Sequence, residues 1–286
     1  MQNMTAERRP IYQSTEDERR FEHTYLNPEE AHKRAQETLS EYEIKPETFT
    51  GLYGADILKH DAEEVARLEA LFEQSPSKIY ADILEAIACE HGELSNWFGP
   101  NSQVIKTARY DDYKNKIDMV VETESENQQF SHLALGIDIT FGSKDLHKKF
   151  DAIKAGINKG SLGQLKYFHS DRQHFTGRLR KLPQVVVGIE IERVKELGLL
   201  WMNRRNKELR EHPVQIAILE EAALQLETFV EYSRSINKND LVVIFERELQ
   251  KINELLDEKI KAGIKTIKDD KVFEEIKRNL LLFTNE

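Results

Sequence analysis

Cysteine is almost missing from this chain: Cys89 is alone among 286 residues. One thiol excludes an internal disulfide and any zinc site built on cysteines. No apolar run is long enough to cross a bilayer, and no apolar segment follows the polar N-terminus, so neither a membrane span nor a secretory signal is read. The expectation is a cytoplasmic protein. Internal repeats and low-complexity tracts are absent as well. His132, His147, His169 and His174 show no metal-ligand spacing. Residues 160–163, Gly-Ser-Leu-Gly, lack the Lys-Ser/Thr ending of a phosphate loop. No Ser/His/Asp arrangement for nucleophilic chemistry can be traced.

What is present suits a soluble folded protein with exposed helices: 39% hydrophobic and 32% charged residues, in a chain long enough to bury a full core. The net charge of −10 argues against a general nucleic-acid coat. Its distribution is uneven. Residues 144–181 hold ten Lys or Arg against three Asp, a net +7 that leaves −17 for the rest. Such a segment fits an approaching polyanion, and equally a solvated helix face with a loop.

Read in order, residues 1–24 form a loose arm, and Asn27-Pro28 starts a helix. Val65, Leu68, Leu71 and Phe72 predict a helix over 61–74. The next runs from Lys78 to Gly92, capped by Ser77 and ended by Gly92. Val104 to Tyr110 reads as a strand, and residues 111–115 as a turn in which Asp is common for its own hydrogen-bonding reasons. A helix over 145–159 carries the stripe Leu146, Phe150, Ile153 and Ile157. Residues 165–169 read as a short strand, followed by a basic loop and a buried strand over 183–189. Beyond Val194 the chain is helical. Phe245, Leu249, Ile252 and Leu256 form a stripe that packs at home or forms a homodimer through the C-terminal helices. Trp97 and Trp201 read as core anchors.

The informative stretch is 110–141. Leu133, Leu135, Ile137, Ile139 and Phe141 alternate onto one face of a strand, with Asp138 and Thr140 on the other. Ile117, Met119 and Val121 likewise oppose Asp118, Val120 and Glu122. If the strands pair, Asp118 and Asp138 meet, and two close carboxylates share a proton or hold a divalent cation. Glu85, with Ala81, Ala88 and Cys89 around it on the preceding helix, is a third candidate carboxylate. Glu90 and Glu93 are rivals, and a solvated helix residue is the default for any single Glu.

This order of helix, three strands, helix and strand over 78–190, with Lys-Ile-Asp-Met-Val-Val-Glu and Gly-Ile-Asp-Ile-Thr, resembles the PD-(D/E)XK nuclease-like core. The resemblance implies an α/β fold whose central mixed sheet is flanked by helices. The nuclease-like core (77–200) would lie between a helical N-terminal extension (1–76) and a helical C-terminal region (201–286). It assigns catalytic roles to Glu85, Asp118 and Asp138, and Mg2+ (or Mn2+) to Asp118, Asp138 and the main-chain carbonyl of Ile139. Thr140 stands where that family keeps a Lys. Lys149, at the border of the helix stripe, is the replacement candidate, ahead of Lys144 and Lys116. The implied activity is metal-dependent hydrolysis of DNA. The alternative is a catalytically inactive nucleic-acid-binding or assembly protein with a helical interaction tail.

Overall fold

The structure is a computed structural model that describes residues 25–71, 76–124, 130–137, 144–267 and 270–284. The arm expected over 1–24 lies outside the described residues.

Helix α1 (Pro28–Tyr42) starts as its sequence predicts: the Asn27 side chain accepts from the backbone N–H groups of Glu29 and Glu30, and Pro28 takes the first turn. A 3-10 turn (Pro46–Phe49) and the short helix α2 (Thr50–Tyr53) precede α3 (Ala55–Glu69). The next helix, α4 (Pro76–Leu94), is not ended by Gly92. A Cβ at Gly92 would fall 2.3 Å from Val104 Cγ2, so the glycine lets the helix press onto strand β1 (Ser102–Lys106).

The strand expected to reach Tyr110 stops at Lys106, and residues 109–115 form a helix, α5 (Arg109–Asn115), rather than a turn. Asp111 and Asp112 in its first turn suit the positive end of the helix dipole, and Lys116, at φ 56°, closes it. Strands β2 (Met119–Glu124) and β3 (Phe130–Ile137) follow, then helix α6 (Lys144–Lys159). The predicted stripe of α6 points inward, with Leu146, Phe150 and Ile157 fully buried. The expected basic loop is instead half of a hairpin, β4 (Gly163–Ser170) and β5 (Phe175–Leu182), which feeds β6 (Gln184–Val187).

The main sheet has the order β1-β2-β3-β6, antiparallel except for the parallel pair β3-β6. The chain is therefore mixed α/β, with a small mixed sheet flanked by helices. Met119, Val121, Leu133 and Leu135 face one apolar cluster, shared with α4, α6 and the helices that follow β6. Ile105, Val120 and Ala134 face a second cluster, closed by Leu165, Tyr167, Phe168 and Leu182 of the hairpin.

Those later helices are α7 (Ile191–Met202), α8 (Asn206–Arg210), α9 (Val214–Ser235), α10 (Asn239–Lys261) and α11 (Lys271–Leu280). The α10 stripe packs on its own chain, where Leu249, Ile252 and Leu256 lie against the larger cluster beside buried Phe245. Both tryptophans are buried anchors: Trp97 donates to the Leu209 carbonyl and Trp201 to Glu90. Among the described residues, no helix is long and apolar enough to cross a membrane.

Candidate functional site

Alternation along β1 places Ser102, Val104 and Lys106 on the face beneath α4, so the strand's last side chain is an ammonium under a helix. Lys106 is only 6% exposed, and its Nζ donates to Glu85 Oε2 and to Asp112 Oδ2, each at 2.9 Å. Glu85 comes from the middle of α4, where Ala86 and Ala88 are buried beside it. Asp112 comes from the first turn of α5.

Asp118 enters by a break in the strand pattern. Ile117 packs in the same cluster as Val120, not with Met119, because β2 begins only at Met119 after the left-handed turn at Lys116. The expected grouping of Ile117 with Met119 and Val121 is thus corrected. The local backbone is pinned: Asp118 N donates to the Leu135 carbonyl at 3.0 Å, and Thr107 Oγ1 donates to the carbonyls of Ile117 and Asp118. Oxygens of Glu85, Asp112 and Asp118 all lie within 4.8 Å of one another.

Three acids surround one ammonium, which contacts two of them, Glu85 and Asp112, and burial sharpens the imbalance. For Asp118, burial first and then the charges of Asp112 and Glu85 push the pKa well above the carboxylate range, with Lys106 and Lys149 opposing. Burial likewise raises Glu85, partly offset by Lys106. At Asp112 burial acts the same way, but the Lys106 charge and hydrogen bond, with a hydrogen bond from Asp118, overcome it and hold the pKa down. Lys106 is driven well above its usual value: burial disfavours its charge, yet Asp112, Glu85 and Asp118 prevail. The state this favours is Asp118 protonated and donating to an ionised Asp112. A turn earlier on α4, Asp82 is held by His32 Nε2 at 2.8 Å and Lys78 Nζ at 3.2 Å.

Of the residues singled out in the sequence, Glu85 and Asp118 are brought together. Asp138, Ile139 and Thr140 lie outside the described residues. Lys149 is half-buried on α6, and its charge favours ionisation of Asp118. Lys116 is exposed at the end of α5, and the Lys144 side chain is outside the description. Glu90 is engaged elsewhere, by Trp201 and Arg34, and Glu93 is exposed. Lys106 is not singled out in the sequence, and Asp112 reads there first as a turn residue, with a role near the site as the lesser alternative. The available signal was a lysine falling in phase with Val104 on the buried side of a strand.

A second acidic group on α3, His60, Asp61 and Glu64, is already in use. Asp61 accepts from Lys166 Nζ and the Tyr167 hydroxyl, and Glu64 accepts from Lys114. In comparison with known proteins, no family model, curated protein or solved structure matches this chain.

Proposed function

We propose that this protein is a metal-dependent phosphodiester hydrolase acting on nucleic acid, DNA in the first instance, built on a nuclease-like core. The observation carrying this reading is the convergence of Glu85, Asp112 and Asp118 within 4.8 Å at the end of a mixed sheet. The order α4, β1, β2, β3, α6, β6 supports it, with α5 and the β4–β5 hairpin as insertions. The donor set fits a hard cation: carboxylate oxygens only, with more negative charge than Lys106 balances. Asp118 and Asp112 would hold Mg2+ or Mn2+, joined by Asp138 and the Ile139 carbonyl as the resemblance implies. When bound, that ion supplies a Lewis acid and a water of lowered pKa.

The chain's own groups have distinct tasks in this reading. Asp118 would hold such an ion as a carboxylate, its proton passing to solvent. Lys106 holds Glu85 and Asp112 in place, so that neither carboxylate swings away when substrate arrives. Lys149 stands in for the lysine replaced by Thr140, offering positive charge to the phosphoryl oxygens as negative charge develops there. Glu85, fixed by Lys106, orients water.

One observation favours the second reading, a binding or assembly protein without hydrolysis: Lys106 is already an internal counter-ion to Glu85 and Asp112. Digestion of supercoiled plasmid, linear duplex and single-stranded DNA with Mg2+ or Mn2+ separates the two. Cleavage by wild type that falls at least about a hundredfold in Asp118→Asn and Lys149→Ala, as expected for losing a ligand or a charge donor worth a few kcal/mol, supports hydrolysis. Inactivity of wild type on every substrate, or cleavage undiminished in Asp118→Asn, rejects it.

A further inference from the structure

The hairpin β4–β5 is attached to the candidate site at two places. Its β4 strand carries a bulge: Leu165 pairs with Leu179 and Phe168 with Gly177, so Lys166 and Tyr167 together oppose Arg178. The Asp111 carboxylate receives both freed N–H groups, Lys166 N at 2.8 Å and Tyr167 N at 2.9 Å. Asp111 is the neighbour of Asp112 on α5, so one short helix points one acid at the hairpin and the next at the acidic site. The second attachment is at the hairpin's other end. A Cβ on Gly163, the partner of Leu182, would lie 3.3 Å from Ile117 Cδ1, and Gln184 Nε2 donates to the Lys116 carbonyl. The segment holding Arg180 and Lys181 therefore runs close to Lys116 and Ile117, the residues just before Asp118, on the side of the sheet away from α4.

The outer strand β5 has a two-sided character. Gly177 and Leu182 are buried and Leu179 half-buried, while Thr176, Arg178, Arg180 and Lys181 are exposed. A second register shift, between the Gly163 and Leu165 pairings, leaves Arg180 and Lys181 together opposite Gln164, with Lys181 at φ 57°. The bulge turns two cations outward in succession. Among the described residues, no ion pair engages Arg178, Arg180 or Lys181, although the chain as a whole carries an excess of ten negative charges. Cations left unpaired in an acidic protein are complementary to a polyanion.

We infer that the outer face of β5, through Arg178, Arg180 and Lys181, is a track for the phosphodiester backbone of duplex nucleic acid leading toward the Glu85–Asp112–Asp118 site. The track rests on the proposed function for its orientation, not for its existence. Its outer-face side chains, a threonine and three cations, hold phosphates and read no base edges; Phe175, 40% exposed, falls in the opposite phase of the strand with Gly177 and Leu179. Arg178 and Arg180, two residues apart on an extended strand, are separated by about 6.7 Å, which sets two charges along a continuous backbone.

The test is equilibrium binding of a fluorescent DNA duplex in EDTA, read by anisotropy across a KCl series. The proteins are wild type, the triple variant Arg178→Gln/Arg180→Gln/Lys181→Gln, and a control carrying Lys207→Gln/Lys261→Gln/Lys265→Gln, which removes the same charge from exposed positions elsewhere. Each lost phosphate contact removes about 0.9 from the slope of log K against log salt, so the triple variant is expected to flatten it by about 2.7 and weaken binding at least about tenfold near 0.1 M KCl. The control keeps the wild-type slope. Equal losses in triple variant and control, or wild-type binding by the triple variant, overturn the track. So does binding to phosphatidylserine vesicles, lost in the triple variant, with no binding to DNA. Because EDTA removes catalysis from the readout, intact binding with no hydrolysis rejects only the proposed activity. Metal-dependent cleavage by wild type together with wild-type DNA binding by the triple variant rejects only the track.

Discussion

Burying Asp118 beside Asp112 and Glu85 sets solvation against charge, and the proton is what reconciles them. Its ordinary pKa of about 3.9 is raised in the folded protein, so the linkage sign is fixed. Its stabilising contribution is full below about pH 4 and is lost as pH rises through the elevated folded-state value. Metal-free wild type should therefore lose urea resistance between about pH 4 and neutrality relative to Asp118→Asn, which keeps a neutral side chain throughout. Divalent binding runs the other way, since a cation replaces the proton. Mn2+ affinity measured calorimetrically should rise with pH in wild type, with proton release visible across buffers of different ionisation enthalpy. Affinity that is flat with pH, or an Asp118→Asn variant with the same dependence, would remove Asp118 from the site.

At the scale of elements, Asp111 shows how a seven-residue helix sets the position of a hairpin. Its carboxylate is fully buried and accepts Lys166 N, Tyr167 N and Asn115 Nδ2. Asp111→Ala strands two backbone donors away from water, at about 1–3 kcal/mol each. Chemical denaturation should show a loss of about 2–5 kcal/mol, whereas Asp111→Asn, which keeps one acceptor oxygen, should lose roughly half. A loss below about 1 kcal/mol for Asp111→Ala would mean that water replaces the carboxylate. The same helix explains what the sequence conceals. Long helices such as α6 and α10 announce themselves by apolar period, and β2 and β3 by alternation. The residues of α5, Arg-Tyr-Asp-Asp-Tyr-Lys-Asn, carry no apolar stripe, so Asp112 reads as a turn residue. Lys106 is hidden for a different reason: a charged strand terminus looks like a strand leaving the core until its partners on α4 and α5 are known. Glu85 was legible because its small neighbours mark a close approach, but nothing in its own residue type separates it from Glu90.

Across the whole molecule, the edge of the sheet and the 3-10 turn Leu281–Phe283 are closed by the same late helices. β6 ends the sheet, and the Gln225 side chain of α9 pairs with it as a further strand would: Oε1 accepts from Val186 N at 2.8 Å and Nε2 donates to its carbonyl at 2.7 Å. Glu221 accepts from Gly188 N one turn earlier. An exposed edge is a site for unwanted pairing, and side chains of a covering helix remove it. The final turn completes the packing, with Phe283 3% exposed and its ring 5.0 Å from Phe229, 5.4 Å from Tyr232 and 6.4 Å from Phe150. Through Phe150 that turn braces α6, the helix carrying Lys149. Phe283→Ala should cost about 3–5 kcal/mol, the range for a buried phenylalanine lost from a packed core. If α6 depends on that brace, hydrogen exchange should quicken along α6 as well as at the C-terminus. A variant that loses stability while α6 keeps wild-type protection would show that the sheet alone holds the helix and its lysine.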